Sequence, residues 1–201
     1  MLNWVQTFGP QLAATLRKHR PRVGRKWTVD EVFCFRGKRK LYLYRAVDEH
    51  GQVIDVLLRD KRARASAEAF FRQAIARTEV TPQAIITDHH QPYVKAVATV
   101  IPRARHIRTG LHRRRGYTTQ PIERSHVPTR DRLRGTRGLR TVHTGQRFLE
   151  SFEALHALRR GRVKLHALVP SYRPTHATEH EKVRVVVAAI AVLGTQLRKA
   201  A

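Results

Sequence analysis

Acidic residues are scarce in this chain. It has 15 Asp and Glu against 40 Lys and Arg in 201 residues, a formal net charge of +25. A surface that positive repels itself and attracts polyanions. Nucleic acid is the natural polyanion, held by Lys and Arg that neutralise phosphates and release counterions. Cysteine is nearly absent: Cys34 stands alone, which excludes an internal disulfide and a Cys-rich zinc site. The 12 histidines are scattered and have no cysteine partners, so no zinc site is expected. Long apolar runs are missing too. The run VVVAAIAVL at 185–193 is too short to span a bilayer. The start, MLNWVQTFGP, carries no basic segment followed by an apolar one, so no secretory leader is read there. A cytoplasmic, nucleoid-associated protein with no membrane partner is expected. What is present in quantity is core-forming sequence: 41% of residues are hydrophobic, enough for one domain with short appendages.

The apolar spacing changes period along the chain. Val5, Phe8, Leu12 and Leu16 predict a helix over 2–19, closed by Pro21. Residues 26–35 read as a strand. Trp27, Val29, Phe33 and Phe35 share one face with Glu31, while Thr28, Asp30, Val32 and Cys34 share the other. A turn at RGKR (36–39) leads to a second strand over 41–47, and DEHG (48–51) leads to a third over 52–58. Ala67, Phe70, Phe71, Ala74 and Ile75 then predict a helix from about Ser66. AIIT (84–87) has the fully apolar look of a buried parallel strand. A helix follows Pro92, and ARHI (104–107) is a candidate fifth strand. A helix is expected around Pro121, where proline suits the first turn, and another from about Val142 to Arg160. Pro128 is expected to kink the former or hold it to about a turn and a half. Residues 161–181 read as irregular, and 182–199 fit a helix or a strand. Three antiparallel strands followed by alternating helices and strands predict an α/β fold. This is an RNase H-like mixed five-stranded sheet with flanking helices.

Against so basic a background, three carboxylates stand out. Asp30 lies mid-strand in KWTVDEVF, Asp88 ends the apolar strand in AIITDHHQPY, and Glu123 opens a helix in PIERSH. Thirty-four residues separate Asp88 from Glu123. Phosphodiester chemistry commonly uses two divalent ions roughly 4 Å apart. Hard cations such as Mg²⁺ take carboxylate oxygens, so a few carboxylates must reach one point from rigid elements. His126 and Arg130 fall three and seven places after Glu123, on the same helical face, where Arg130 is placed to hold a phosphate. Each acid also has a plainer reading. Asp30 suits a paired core-edge carboxylate, Asp88 a turn or helix cap, and Glu123 a favourable first-turn acid. Glu31, Asp48, Asp55, Asp60 and Asp131 are further acids in the same span.

The motifs add a family resemblance. Trp27 to Glu31 read W-x-x-D-E, followed by Gly37, then Tyr42 to Asp48 as Y-L-Y-R-A-V-D, then Gly51. ITDHHQPY forms a second block, and IERSHVPTRDRLRG with TGQRFLESFEALHALRRG a third. In order and spacing these blocks resemble the catalytic domain of bacterial insertion-sequence DDE transposases of the IS-six type, over about residues 2–160. The resemblance implies an RNase H-like core with Asp30, Asp88 and Glu123 as catalytic metal ligands for two Mg²⁺ or Mn²⁺ ions. It implies cleavage of DNA strands and transfer of the 3′-hydroxyl to target DNA. His126 and Arg130 would steady a phosphate. Arg113, Arg114 and Arg115 would contact DNA from a basic stretch (103–147) holding 13 Arg and no Lys. Element ends and target DNA are the implied partners, and a homodimer the implied assembly. Full-length members carry a helix-turn-helix before this domain. Here residues 1–22 resemble only its last helix and linker, 23–160 the catalytic domain, and 161–201 no block of the family. A truncated copy, acting as a non-catalytic DNA-binding remnant of the same fold, is therefore the alternative expectation. A nuclease cutting RNA in hybrids is a third.

Overall fold

A computed structural model describes residues 2–109, 119–134, 139–164, 169–170 and eight positions between 184 and 195. The chain divides into two compact units, residues 22–146 and residues 1–21 with 147–201.

The larger unit is built on a five-stranded sheet. Its strands are β1 (Lys26–Arg36), β2 (Arg39–Asp48), β3 (Val53–Arg59), β4 (Ala84–Thr87) and β5 (Arg105–Arg108), in spatial order β3-β2-β1-β4-β5. β1, β2 and β3 pair antiparallel, whereas β4 runs parallel to β1 and β5 parallel to β4. This is the expected RNase H-like arrangement. Its helices are α2 (Arg64–Thr78), α3 (Gln91–Val100) and α4 (Gln120–Arg134); α5 (Val142–Arg159) begins in this unit.

Local chemistry explains the turns. Arg36 pairs with Arg39, which leaves a two-residue loop at Gly37 and Lys38. Gly37 takes φ +57° and Lys38 does not go positive, the II′ pattern that puts glycine first because its backbone twist suits antiparallel strands. At the β2–β3 turn, Gly51 adopts φ +73°. The Asp48 carboxylate accepts from the backbone N–H groups of His50 and Gln52 at 3.0 and 2.8 Å, and from Gly24 at 2.9 Å.

The two faces of the sheet are covered differently. On one face Trp27, Val29, Tyr44, Ala46 and Ile54 pack with Phe70, Phe71 and Ala74 of α2 and Tyr93, Ala96 and Val97 of α3, forming the main core. Burying one such aromatic side chain contributes roughly 1.5–3 kcal/mol. The other face carries Asp30 and Arg45, which are cross-strand partners, and α4 packs there. Ser66 is buried at the start of α2, and its hydroxyl donates to the Lys61 carbonyl at 2.8 Å. The first turn of α5 is tied to β3: the Gln146 side chain accepts from Leu58 N–H at 2.7 Å and donates to the Val56 carbonyl at 2.9 Å.

Two expectations are corrected. Pro128 does not shorten its helix, for α4 runs fifteen residues with Pro128 inside. The missing N–H leaves only the Arg124 carbonyl without its helical partner, and buried Ile122, His126 and Thr129 hold the helix on the sheet. Phe33 and Phe35 do not continue the buried face of Trp27 and Val29; both are exposed. Phe33 instead meets Tyr42 edge-on at 5.5 Å, with the Lys40 ammonium 3.6 Å above its ring.

In the smaller unit, α1 (Leu2–Lys18) contributes Leu12 and Leu16 to a cluster with Leu158 and Val163. Lys164 N–H donates to the His19 carbonyl at 2.7 Å.

Candidate active site

Strand pairing puts the first two carboxylates on neighbouring strands. In the parallel register of β1 and β4, Trp27 lies opposite Ile85 and Thr28 opposite Ile86. The ladder ends there; Asp30 lies two places further along β1 and Asp88 just past the end of β4. Continued by two places, that register would set the two side chains on one face, at the same end of the sheet. Both remain accessible, with side chains 21% and 39% exposed.

α4 closes on that face through His126. Its Nε2 lies 3.3 Å from Asp30 Oδ2, and since a carboxylate only accepts, Nε2 carries the proton. The His126 side chain is fully buried and its Nδ1 makes no hydrogen bond to a described residue. Burial lowers its pKa, and the Arg45 and Arg130 charges add to this; the Asp30 hydrogen bond and charge only partly oppose it. The imidazole is therefore neutral at physiological pH, a fixed donor that orients Asp30. Below it the buried Arg45 guanidinium donates to Ser125 Oγ, tying α4 to β2.

Glu123 sits one helical turn before His126 on α4 and is exposed. Thr119 Oγ1 donates to its Oε1 at 2.8 Å. Among the described residues no three His, Cys, Asp or Glu side chains converge closely enough to hold an ion. The structure puts His126 against Asp30 and Arg62 against Asp88, while the Glu123 carboxylate meets Thr119. Arg130 is exposed, one turn beyond His126 on the same helix. Arg113, Arg114 and Arg115 lie outside the described residues.

A second group of residues was not singled out in the sequence. Glu31, next to Asp30 but on the opposite pleat, has a side chain only 1% exposed. Its Oε1 accepts from Arg62 Nε and its Oε2 from the Tyr93 hydroxyl. Burial raises the Glu31 pKa; the Tyr93 and Arg62 contacts pull the other way without cancelling it. Burial would lower that of Arg62, but the Glu31 charge and hydrogen bond, with the Asp88 charge, raise it on balance. Arg62 Nη2 reaches Asp88 Oδ2 at 3.5 Å, and Asp88 Oδ1 accepts from His90 N–H at 2.9 Å. The available signal was a carboxylate at a core-facing strand position, which demands a buried cation or hydroxyl partner.

The rival acids have structural work. Asp48 organises the β2–β3 turn, and Asp55 pairs with Arg77 at 2.8 Å and Gln73 at 2.9 Å. Asp131 faces Arg134 on the exposed side of α4 at 3.7 Å.

The sequence profile of a family described as a DDE domain matches residues 24–162. The transposase for insertion sequence-like element IS431mec of Staphylococcus aureus (strain Mu50) is 32% identical over 155 residues, 77% of this chain and 67% of that protein. The Staphylococcus aureus transposase for insertion sequence element IS257 in transposon Tn4003 matches with the same identity and coverage. Among solved structures, the HTLV-2 integrase catalytic core domain in complex with magnesium is similar at 17% identity. The match covers 81% of this chain and 98% of that one, with a TM-score of 0.47.

Proposed function

The chain belongs to the family of DDE-domain transposases, and from that premise we propose that Asp30, Asp88 and Glu123 are its catalytic carboxylates. It is a polynucleotidyl transferase whose chemistry is cleavage of DNA strands and transfer of a 3′-hydroxyl end. The reading is supported by the parallel β1–β4 pairing, which puts Asp30 and Asp88 at the same end of neighbouring strands, together with His126 of Glu123's own helix on Asp30.

The donor set suits Mg²⁺ or Mn²⁺. Hard divalent ions take carboxylate oxygens and keep several waters. A carboxylate offers about four lone-pair sites, and the contacts of Asp30 and Asp88 leave room on both. Two ions bound there would supply charge stabilisation to the attacking and departing oxygens of the phosphodiester. The chain's residues do the rest. His126 holds Asp30 in one orientation. Glu123 completes the set from the first turn of α4, and Arg130 meets a neighbouring phosphate of the bound strand. Arg113, Arg114 and Arg115 contribute backbone contacts that position DNA without reading its sequence. A mobile element has two ends, so two copies of the chain are proposed to act together on them.

The test is nicking and strand transfer on DNA carrying the sequences that flank the gene, with Mg²⁺ or Mn²⁺. Wild type is compared with Asp88→Asn after circular dichroism shows both folded. A metal ion contributes several kcal/mol of charge stabilisation, so Asp88→Asn should lose about a thousandfold in rate while binding DNA as before. Cleavage retained in that variant, or DNA binding lost with it, contradicts the assignment. A folded wild type that binds DNA in a salt-sensitive way and never cuts it would mark a remnant that only binds.

A further inference from the structure

Arg62 presents a contradiction. A guanidinium beside Asp88 opposes the entry of a divalent cation at the same carboxylate, yet Arg62 Nη2 stands 3.5 Å from Asp88 Oδ2. The residues behind it resolve the conflict. Arg62 is held from the far side by Glu31, whose second oxygen is engaged by the Tyr93 hydroxyl. Tyr93 is itself immobile: it is fully buried and packs edge-on against Tyr44 and Phe71 at 6.2 and 6.3 Å. Exposure rises along the chain of contacts, from 1% for the Glu31 side chain to 32% for Arg62 and 39% for Asp88. The anchor is dry and the far end meets solvent.

We propose that Glu31 is a positioning and charge-compensating residue. It pins Arg62 and cancels the guanidinium charge, so that Asp88 keeps its affinity for a divalent cation. Glu31 and Arg62 together are neutral, so Asp88 faces an approaching ion with its own charge intact. In a chain carrying +25, an uncompensated arginine at this point would turn to Asp88 and compete with the ion. The inference rests on Asp88 being a metal ligand, as proposed above.

The test reads metal binding, not turnover. Mn²⁺ is titrated into the full chain and followed by the electron paramagnetic resonance of the free ion. The set comprises wild type, Glu31→Gln, Arg62→Gln, the double variant and Asp88→Asn. Glu31→Gln keeps the shape and removes the charge. It should weaken Mn²⁺ binding about five- to tenfold, the scale of one partly exposed charge acting on a divalent ion. Arg62→Gln should bind no more weakly than wild type. In the double variant the competing cation is gone, and binding should return to within about twofold of wild type, a coupling that additive sites would not show. A residue that merely stabilised the fold would lower the melting temperature and leave these ratios alone. Wild-type Mn²⁺ affinity in folded Glu31→Gln overturns the proposal, as does a double variant as weak as Glu31→Gln. Should Glu31→Gln fail to fold, Arg62→Gln decides: weaker binding than wild type overturns the proposal, and equal or tighter binding supports it. Undiminished binding in Asp88→Asn would instead sink the assignment of Asp88.

Discussion

Two of the three proposed catalytic carboxylates are set by strands and the third by the start of a helix, and the two settings behave differently. Asp30 and Asp88 stand on or just past neighbouring parallel strands, Asp30 held by His126 and Asp88 by His90 and Arg62. Glu123 owes its position to the first turn of α4, where Thr119 is its hydrogen-bonded neighbour. A sheet fixes its members jointly, because moving one strand breaks a whole ladder. A helix start has fewer such bonds: here the Ile122 and Glu123 N–H groups both donate to the Thr119 carbonyl, and buried Ile122 anchors the turn. In the proposed site the strands would supply one half and the first turn of α4 the other.

The comparison can be broken most forcefully at its weakest member. If Glu123 completes the site, Glu123→Gln should cost about a thousandfold in strand cleavage, as Asp30→Asn should. Their stability should differ. Asp30→Asn disturbs the buried His126 contact and lowers the melting temperature, whereas Glu123→Gln leaves it unchanged. Cleavage within tenfold of wild type in Glu123→Gln would remove the helix-borne carboxylate from the site.

Next in size is the support of the strand pair. Ile85 is fully buried in β4, and Ile85→Ala should destabilise the protein by about 2–5 kcal/mol, read by urea denaturation. A loss under about 1 kcal/mol would mean that β4 is not held as firmly as the argument requires. Smaller still is Thr119→Val, which removes one exposed hydrogen bond to Glu123. At roughly 0.5–1.5 kcal/mol for such a bond, cleavage should change no more than about tenfold, with the metal concentration needed for half-maximal rate as the sensitive readout.

The smallest effect concerns pH. His106 on β5 lies 2.9 Å from Thr87 Oγ1, and burial, with help from Arg108, lowers its pKa. A histidine depressed in the folded state resists protonation there. Its contribution is complete above the unfolded value of about 6.5 and is lost as pH falls towards the lower folded value. Melting temperatures measured from pH 8 to pH 5 should therefore fall less steeply in His106→Gln than in wild type. Parallel curves would show that His106 titrates freely.

Much of this architecture was legible in the residues, for identifiable reasons. Period-two alternation with β-branched and aromatic residues marked β1, β2 and β3. The short apolar run before Asp88 was consistent with a buried parallel strand. What alternation does not reveal is where the covering layer ends. Phe33 and Phe35 continue the pattern of Trp27 and Val29, but α2 and α3 bury only the latter two, and the hairpin tip stays exposed. Nor does pattern reveal partners across long separations. Glu31 was visible as a carboxylate on the core face, whereas its bonds to Arg62 and Tyr93 depend on how the β3–α2 connection and α3 pack. Pro128 misled because a missing N–H matters less in a helix that side chains already hold from below.

The parallel pairing of β1 with β4 also says which genetic lesions this protein would tolerate. The two strands pair through register, so the length of chain between them does not set which residues face each other. An in-frame insertion in the connection after β3, or at the α2–β4 turn around Thr81, would lengthen a surface excursion and leave the pair aligned. Deleting one codon within Ala84–Thr87 is a different matter, since a one-residue slip sends every side chain to the opposite pleat. Asp88 would then point away from Asp30. Under the proposed assignment, a copy bearing that deletion would be silenced as thoroughly as one that had lost the aspartate.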